Sequence, residues 1–195
     1  MRHPLEVVIP RDQRTGVLAT FIILTALVAA LLSFLGNSLK TASAAQGMLS
    51  FELAGDPVVV RDLLASWGPS ERAVAQTSLA IDYAFLLLYS TTLALACVGT
   101  SKMFSVPALS TVGYFLAWGQ WLAGLFDAVE NYALLTLLQG AAVEGVVPDS
   151  AAATLARQCA LLKFGLIAVG LIYVASAGFY ATVAAYLRRQ RAIRT

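Results

Sequence analysis

The chain has 195 residues, of which 59% are apolar and only 12% charged, and several apolar runs are long enough to cross a hydrocarbon core of about 30 Å. That composition excludes an ordinary soluble domain and points to a polytopic α-helical membrane protein. The formal charge of +2, with the basic residues gathered toward the chain ends, excludes a nucleic-acid interface.

Residues 1–15 carry Arg2, Arg11 and Arg14 with Pro4 and Pro10, and 17–35 is an apolar run of one span. Basic residues, an apolar run and Ala42-Ser43-Ala44 also fit a cleaved signal peptide, but the run exceeds the roughly 7–15 residues of a signal core. An uncleaved first span is therefore expected.

Residues 36–77 form a connection too long for a tight turn and too apolar for disorder. Asp56-Pro57 supplies a cap and a first helical position, and Val60, Leu63, Leu64 and Trp67 then share one face before Gly68-Pro69. Met48, Leu49, Phe51 and Leu53 around Glu52 make a second apolar piece. Both pieces predict amphipathic helix lying on the bilayer or over the helices, as an interfacial anchor or as a lid.

Ser70 is placed to cap a helix that runs through Asp82 to near Gly99, with a span over 78–99. A turn with Lys102 follows, and Pro107 opens a third helix to Gln139, stopped by Gly140, with a span over 107–128. Glu144, Pro148 and Asp149 lie in the next connection. Ser150 then caps a fourth helix through Lys163 to Arg188, Arg189, Arg191 and Arg194, with a span over 164–187. The expectation is a single domain over 1–195: an all-α, antiparallel four-transmembrane-helix bundle with an amphipathic helical outer loop. Arginines at both ends and Lys102 between the second and third spans put both termini in the cytoplasm, with the long connection outside. Arg in excess of Lys, together with abundant Ala, suggests a GC-rich bacterial source and hence the inner membrane.

The polar centre of the chain is Asp127, Glu130 and Asn131, at i, i+3 and i+4 and so on one helix face. Ionisable residues near hydrocarbon are costly and demand partners. A rise of about 1.5 Å per residue puts Asp82 roughly 25 Å, Asp127 roughly 30 Å and Lys163 roughly 37 Å from the cytoplasmic helix ends, all near the outer boundary. The third and fourth helices stay apolar beyond that level, so the outer connection is expected to cover them. The result is a roofed chamber in which Glu52, Asp82, Asp127, Glu130 and Lys163 meet. Gln120, Tyr89 and Tyr173 are placed to extend a thinner polar track inward, although aromatic and amide residues at such spacing are more often packing and hydrogen-bonding residues.

The acids outnumber Lys163, with Arg157 a more distant cation, and the excess negative charge favours binding or transport of a small cationic or amphipathic ligand. A second reading is an enzyme acting on a lipid-like substrate by carboxylate acid/base chemistry with Lys163 on an anion, although no nucleophile with its base is visible. Two readings without a ligand stand beside these. In one, Lys163 pairs with Asp127 or Glu130 and Asn131 ties two helices; in the other, the chain is an assembly subunit, contacting a partner membrane protein, a second copy of itself or, through its arginine tail, membrane lipid. His3 is the only histidine and lies in the tail, which excludes histidine-ligated haem or zinc and histidine-based triads; no cofactor and no metal site is expected. Cys97 and Cys159 fall at opposite depths, so both are read as apolar packing residues rather than a disulfide.

Overall fold

A computed structural model describes residues 3–140 and 148–194, the stretch 181–194 by its backbone alone. Glu144, assigned above to a connection, lies outside the described residues. The described chain is all-helical: α1 (Pro4–Val8), α2 (Arg14–Gly36) with a 3-10 turn at Asn37–Leu39, α3 (Met48–Leu53), α4 (Pro57–Ala65), α5 (Pro69–Ser101), α6 (Pro107–Gly140) and α7 (Ser150–Arg194).

Helix starts follow local chemistry. Asp56 Oδ1 accepts from Val58 N (2.8 Å) and Val59 N (3.3 Å), and Pro57 takes the first helical position of α4. Two expected caps are displaced by one or two residues. Ser70 does not cap α5; the N-cap is Gly68, and Ser70 Oγ turns to Glu71 Oε2 (3.0 Å) because Pro69 already supplies a pre-set first turn. Ser150 likewise lies inside α7, and Asp149 Oδ1 accepts from Ala151 N (2.9 Å) in its place.

Among the described residues, three helical stretches are long and apolar enough to cross a membrane: Arg14–Leu39, Pro69–Ser101 and Ser150–Tyr180. α6 has the length, but Trp118, Gln120, Trp121, Asp127, Glu130 and Asn131 dilute its apolar run. Of these, Gln120, Asp127, Glu130 and Asn131 give it a buried polar face.

α5, α6 and α7 pack on one another, while α2 lies against α5 and buries none of its own residues. Small residues permit the close approaches. A Cβ on Gly124 would stand 3.1 Å from Ser90 Oγ, so α6 meets α5 there nearly backbone to side chain. Gln120, fully buried, donates through Nε2 to Leu166 O (2.9 Å) in space that Gly170 leaves open. Tyr173 Oη donates to Leu109 O (2.9 Å) beside Gly113. Gln120 and Tyr173 thus join α6 to α7 through backbone carbonyls rather than extending a track for a ligand.

One end of the bundle is roofed. Leu39, Phe51, Val60, Leu63, Leu64 and Trp67 from the connection form one buried cluster with Leu134, Leu137 and Leu138 of α6 and Ala152, Ala153 and Ala156 of α7. Trp67 Nε1 donates to Leu39 O (2.9 Å), and its ring meets Phe51 edge-on at 5.5 Å. The amphipathic pieces therefore cover the helix ends.

Candidate functional site: carboxylates around Lys163

At the roofed end, α6 carries Asp127 and Glu130 on its inner face and α7 delivers Lys163 opposite them. Lys163 Nζ donates to Asp127 Oδ1 (2.7 Å) and to Glu130 Oε1 (2.9 Å), with Glu130 Oε2 also at 2.9 Å. From the roof, α3 adds Glu52, whose Oε2 lies 3.4 Å from the same nitrogen. An ammonium has three hydrogens, and here it meets three carboxylates, two from α6 and one from α3. The node is shielded: side-chain exposure is 8% for Lys163, 3% for Asp127 and 0% for Glu130, against 17% for Glu52.

Asp82 and Asn131 form a separate pair one helix away. Asn131 Nδ2 donates to Asp82 Oδ2 (2.7 Å), joining α6 to α5, and among the described residues Asp82 has no ion pair. The six residues selected from the sequence are thus brought together as a four-residue ion cluster and a neighbouring amide–carboxylate pair. Burial pushes the Glu52 carboxyl above its usual range; Lys163 opposes that shift and Asp127 adds to it. An excess of carboxyl groups over cations in a shielded place is the defining property of the site.

Two cavities flank it. The outer one, about 410 Å³, opens between the end of α2 and the roof and is lined by Glu52, Asp82, Asn131 and Ser78, with Lys40 at its rim. The Lys40 ammonium donates to Asn37 Oδ1 (2.9 Å) and is exposed. The inner one, about 400 Å³, lies deeper among α2, α5 and α7, with Asp82, Glu52, Asp127 and Lys163 toward the roof and Tyr89, Phe85 and Phe164 below. Leu49, Glu52 and Asp82 line both, so the two spaces meet at this partition. Two buried polar atoms along these walls have no hydrogen-bond partner: Ser78 Oγ and Tyr89 Oη. Among the described residues, no group of three or more His, Cys, Asp or Glu is disposed to hold a metal ion.

The sequence reading overlooked two features. Lys40 belongs to the outer cavity, because the 3-10 turn after α2 carries the chain back over the bundle. The opposite end holds a second polar knot: Glu6 Oε1 lies 2.6 Å from Lys102 Nζ and 3.6 Å from Arg14 Nη1, and Arg14 Nη2 donates to Glu6 O (2.7 Å). His3, expected in a free tail, is buried there between Trp118 and Trp121, with ring centroids 5.0 and 4.8 Å away. Its Nδ1 accepts from Leu5 N (3.3 Å) as the cap of α1. His3-Pro4, a capping residue followed by a first-turn proline, was the available signal. Cys97 and Cys159 are both free and buried.

Compared with protein-family models, with characterised proteins and with solved structures, the chain matches none.

Proposed function

We propose that the chain is a four-span bundle of the inner membrane with both termini cytoplasmic, whose roofed end faces outward and binds a small cationic or amphipathic ligand. The fourth span is α6: its polar face turns toward α5 and α7, and Trp118, Leu122, Leu125 and Val129 are exposed along its other side, where lipid would lie. Arg14, Lys102 and the C-terminal arginines fall at the end opposite the roof, which supports that orientation.

The observation that carries the ligand reading is Asp82. It faces both cavities and is held only by a neutral amide, while the nearest ammonium, Lys163, is already engaged by three other carboxylates. A cation arriving through the outer cavity meets a carboxylate without a counter-charge, in surroundings where a charge interaction is stronger than in water. Binding is better supported than translocation, because Thr25 and Thr92 close the inner cavity below by a hydroxyl contact of 2.8 Å.

The test is native mass spectrometry of the detergent-extracted protein, wild type beside Asp82→Asn and Asp127→Asn/Glu130→Gln. A small-molecule adduct on the wild type that is lost in Asp82→Asn, with the fold retained, supports the reading. Wild-type protein free of any adduct, before and after incubation with a panel of organic cations, overturns it.

A further inference from the structure

We infer that the inner cavity receives a protonated amine bearing hydrogen on nitrogen and an apolar, aryl-sized body, with Asp82 as its counter-charge and Tyr89 Oη as an acceptor for one N–H. This assignment rests on the proposed function and names the ligand class for it.

The walls divide by chemistry. Toward the roof stand Asp82, Glu52, Asp127 and Lys163; below them Phe85, Phe164, Leu93 and Ile167 form an apolar sleeve. A ligand that satisfies both parts has a charged head and a hydrocarbon or aromatic body. About 400 Å³ falls inside the roughly 300–1,000 Å³ of ordinary small-molecule sites. The head group has one direction to face. At the lower end, Thr92 Oγ1 donates to Leu88 O (2.7 Å), which leaves Thr25 as the donor in the Thr25–Thr92 contact; both hydroxyl hydrogens are used. Lys163 lines the cavity too, but its hydrogens face Asp127, Glu130 and Glu52, and its remaining contact is with the Phe164 ring, 5.0 Å from Nζ to centroid.

Tyr89 decides what kind of cation. Its side chain lines this cavity, the residue is 6% exposed, its ring packs on Phe85 at 5.3 Å, and its hydroxyl has no hydrogen-bond partner. A buried hydroxyl left unpaired is unfavourable, and a ligand N–H aimed at Oη relieves it. A quaternary ammonium has no such hydrogen. It would gain the charge and the aromatic faces but not the Tyr89 contact. A neutral alcohol would gain the hydroxyl contact but not the charge.

The experiment uses the full-length chain in phosphatidylcholine nanodiscs and isothermal titration with three probes of one shape: 2-phenylethylammonium, its N,N,N-trimethyl analogue and 2-phenylethanol. The wild type should bind the primary ammonium at least about tenfold more tightly than either other probe, since a hydrogen bond and a charge separate them. Tyr89→Phe should weaken the primary ammonium by about tenfold and leave the trimethyl analogue unchanged. Asp82→Asn should weaken both cations and not the alcohol. Equal affinity of wild type and Tyr89→Phe for the primary ammonium, or an alcohol that binds as tightly as the amine, overturns the assignment. If the trimethyl analogue binds as well as the amine and depends on Asp82 alone, cation binding stands and the inner-cavity assignment falls. If no cation binds the wild type, both fall.

Discussion

Replacing Lys163 by Met isolates the charge from the packing, since Met keeps an unbranched apolar stem of similar length. The substitution strands three carboxylates at once. Glu130 and Asp127, at 0% and 3% exposure, cannot regain water without moving α6, whereas Glu52, at 17%, can turn outward with its short helix. Removing one partner of a buried ion pair costs about 3–5 kcal/mol, and we expect a loss in that range at neutral pH. The same account fixes a pH signature. Acid neutralises the stranded carboxyls, so the gap between wild type and Lys163→Met should narrow as pH falls. The assay is reversible unfolding in mixed micelles, followed by tryptophan fluorescence at several pH values. A variant within about 1 kcal/mol of wild type at neutral pH, or a gap indifferent to pH, would refute the claim that this node holds α3, α6 and α7 together.

Gly170→Ala should destabilise by about 1–3 kcal/mol, because the new Cβ collides with the buried Gln120 amide and breaks its bond to Leu166 O; Gly165→Ala, which meets nothing within 4 Å, is the control and should be neutral or mildly stabilising. Matched unfolding curves for the two alanine variants would count against that fit. Glu52 holds its proton more tightly folded than unfolded, since burial raises its carboxyl; its contribution is fully present below the unfolded value and is lost as pH rises through the folded one. Glu52→Gln should therefore flatten the decline of the unfolding midpoint with rising pH, and parallel slopes would contradict it. Burial lowers His3, with Glu6 opposing, so the unfolded segment takes up a proton first and anchoring weakens as pH falls below about 6.5. Fluorescence of Trp118 and Trp121 should report that step in the wild type and not in His3→Asn, which keeps a capping side chain without titrating.

What the sequence made legible was periodic or local. Asp56-Pro57 marked the start of α4, the spacing of Val60, Leu63 and Leu64 marked its buried face, and Asp127-x-x-Glu130-Asn131 declared a polar face that had to find partners. Helical rise alone then set Lys163 and Asp127 at a common level, because rise is fixed while rotation about each helix axis is not. That missing rotation explains the partners that stayed unread. Gln120 and Tyr173 were readable as polar but not as facing the carbonyls of Leu166 and Leu109, which depends on glycines in neighbouring turns. Lys40 entered the outer cavity through a single 3-10 turn, and His3 found two tryptophans more than a hundred residues away. Neither contact has a sequence period to betray it.

The ion cluster holds more acid than a structural tie requires. One carboxylate on Lys163 suffices to join α6 to α7, and both Asp127 and Glu130 already do so at 2.7 and 2.9 Å. Glu52 adds the longest of the three contacts, 3.4 Å, from a helix of six residues that is too short to persist alone. α3 is positioned by Phe51 in the roof and by Glu52 on Lys163, and it lies between Gly47 and Gly55, whose φ of 61° and 66° few other residues adopt. Its Leu49 and Glu52 form the partition between the two cavities. The third carboxylate is therefore best understood through its place: it fastens the least independently stable piece of the roof to the charge it covers. On the proposed reading, a cation that competed with Lys163 for Glu52 would weaken that fastening where the cavities meet, and one surplus of acid would serve both the fold and the ligand.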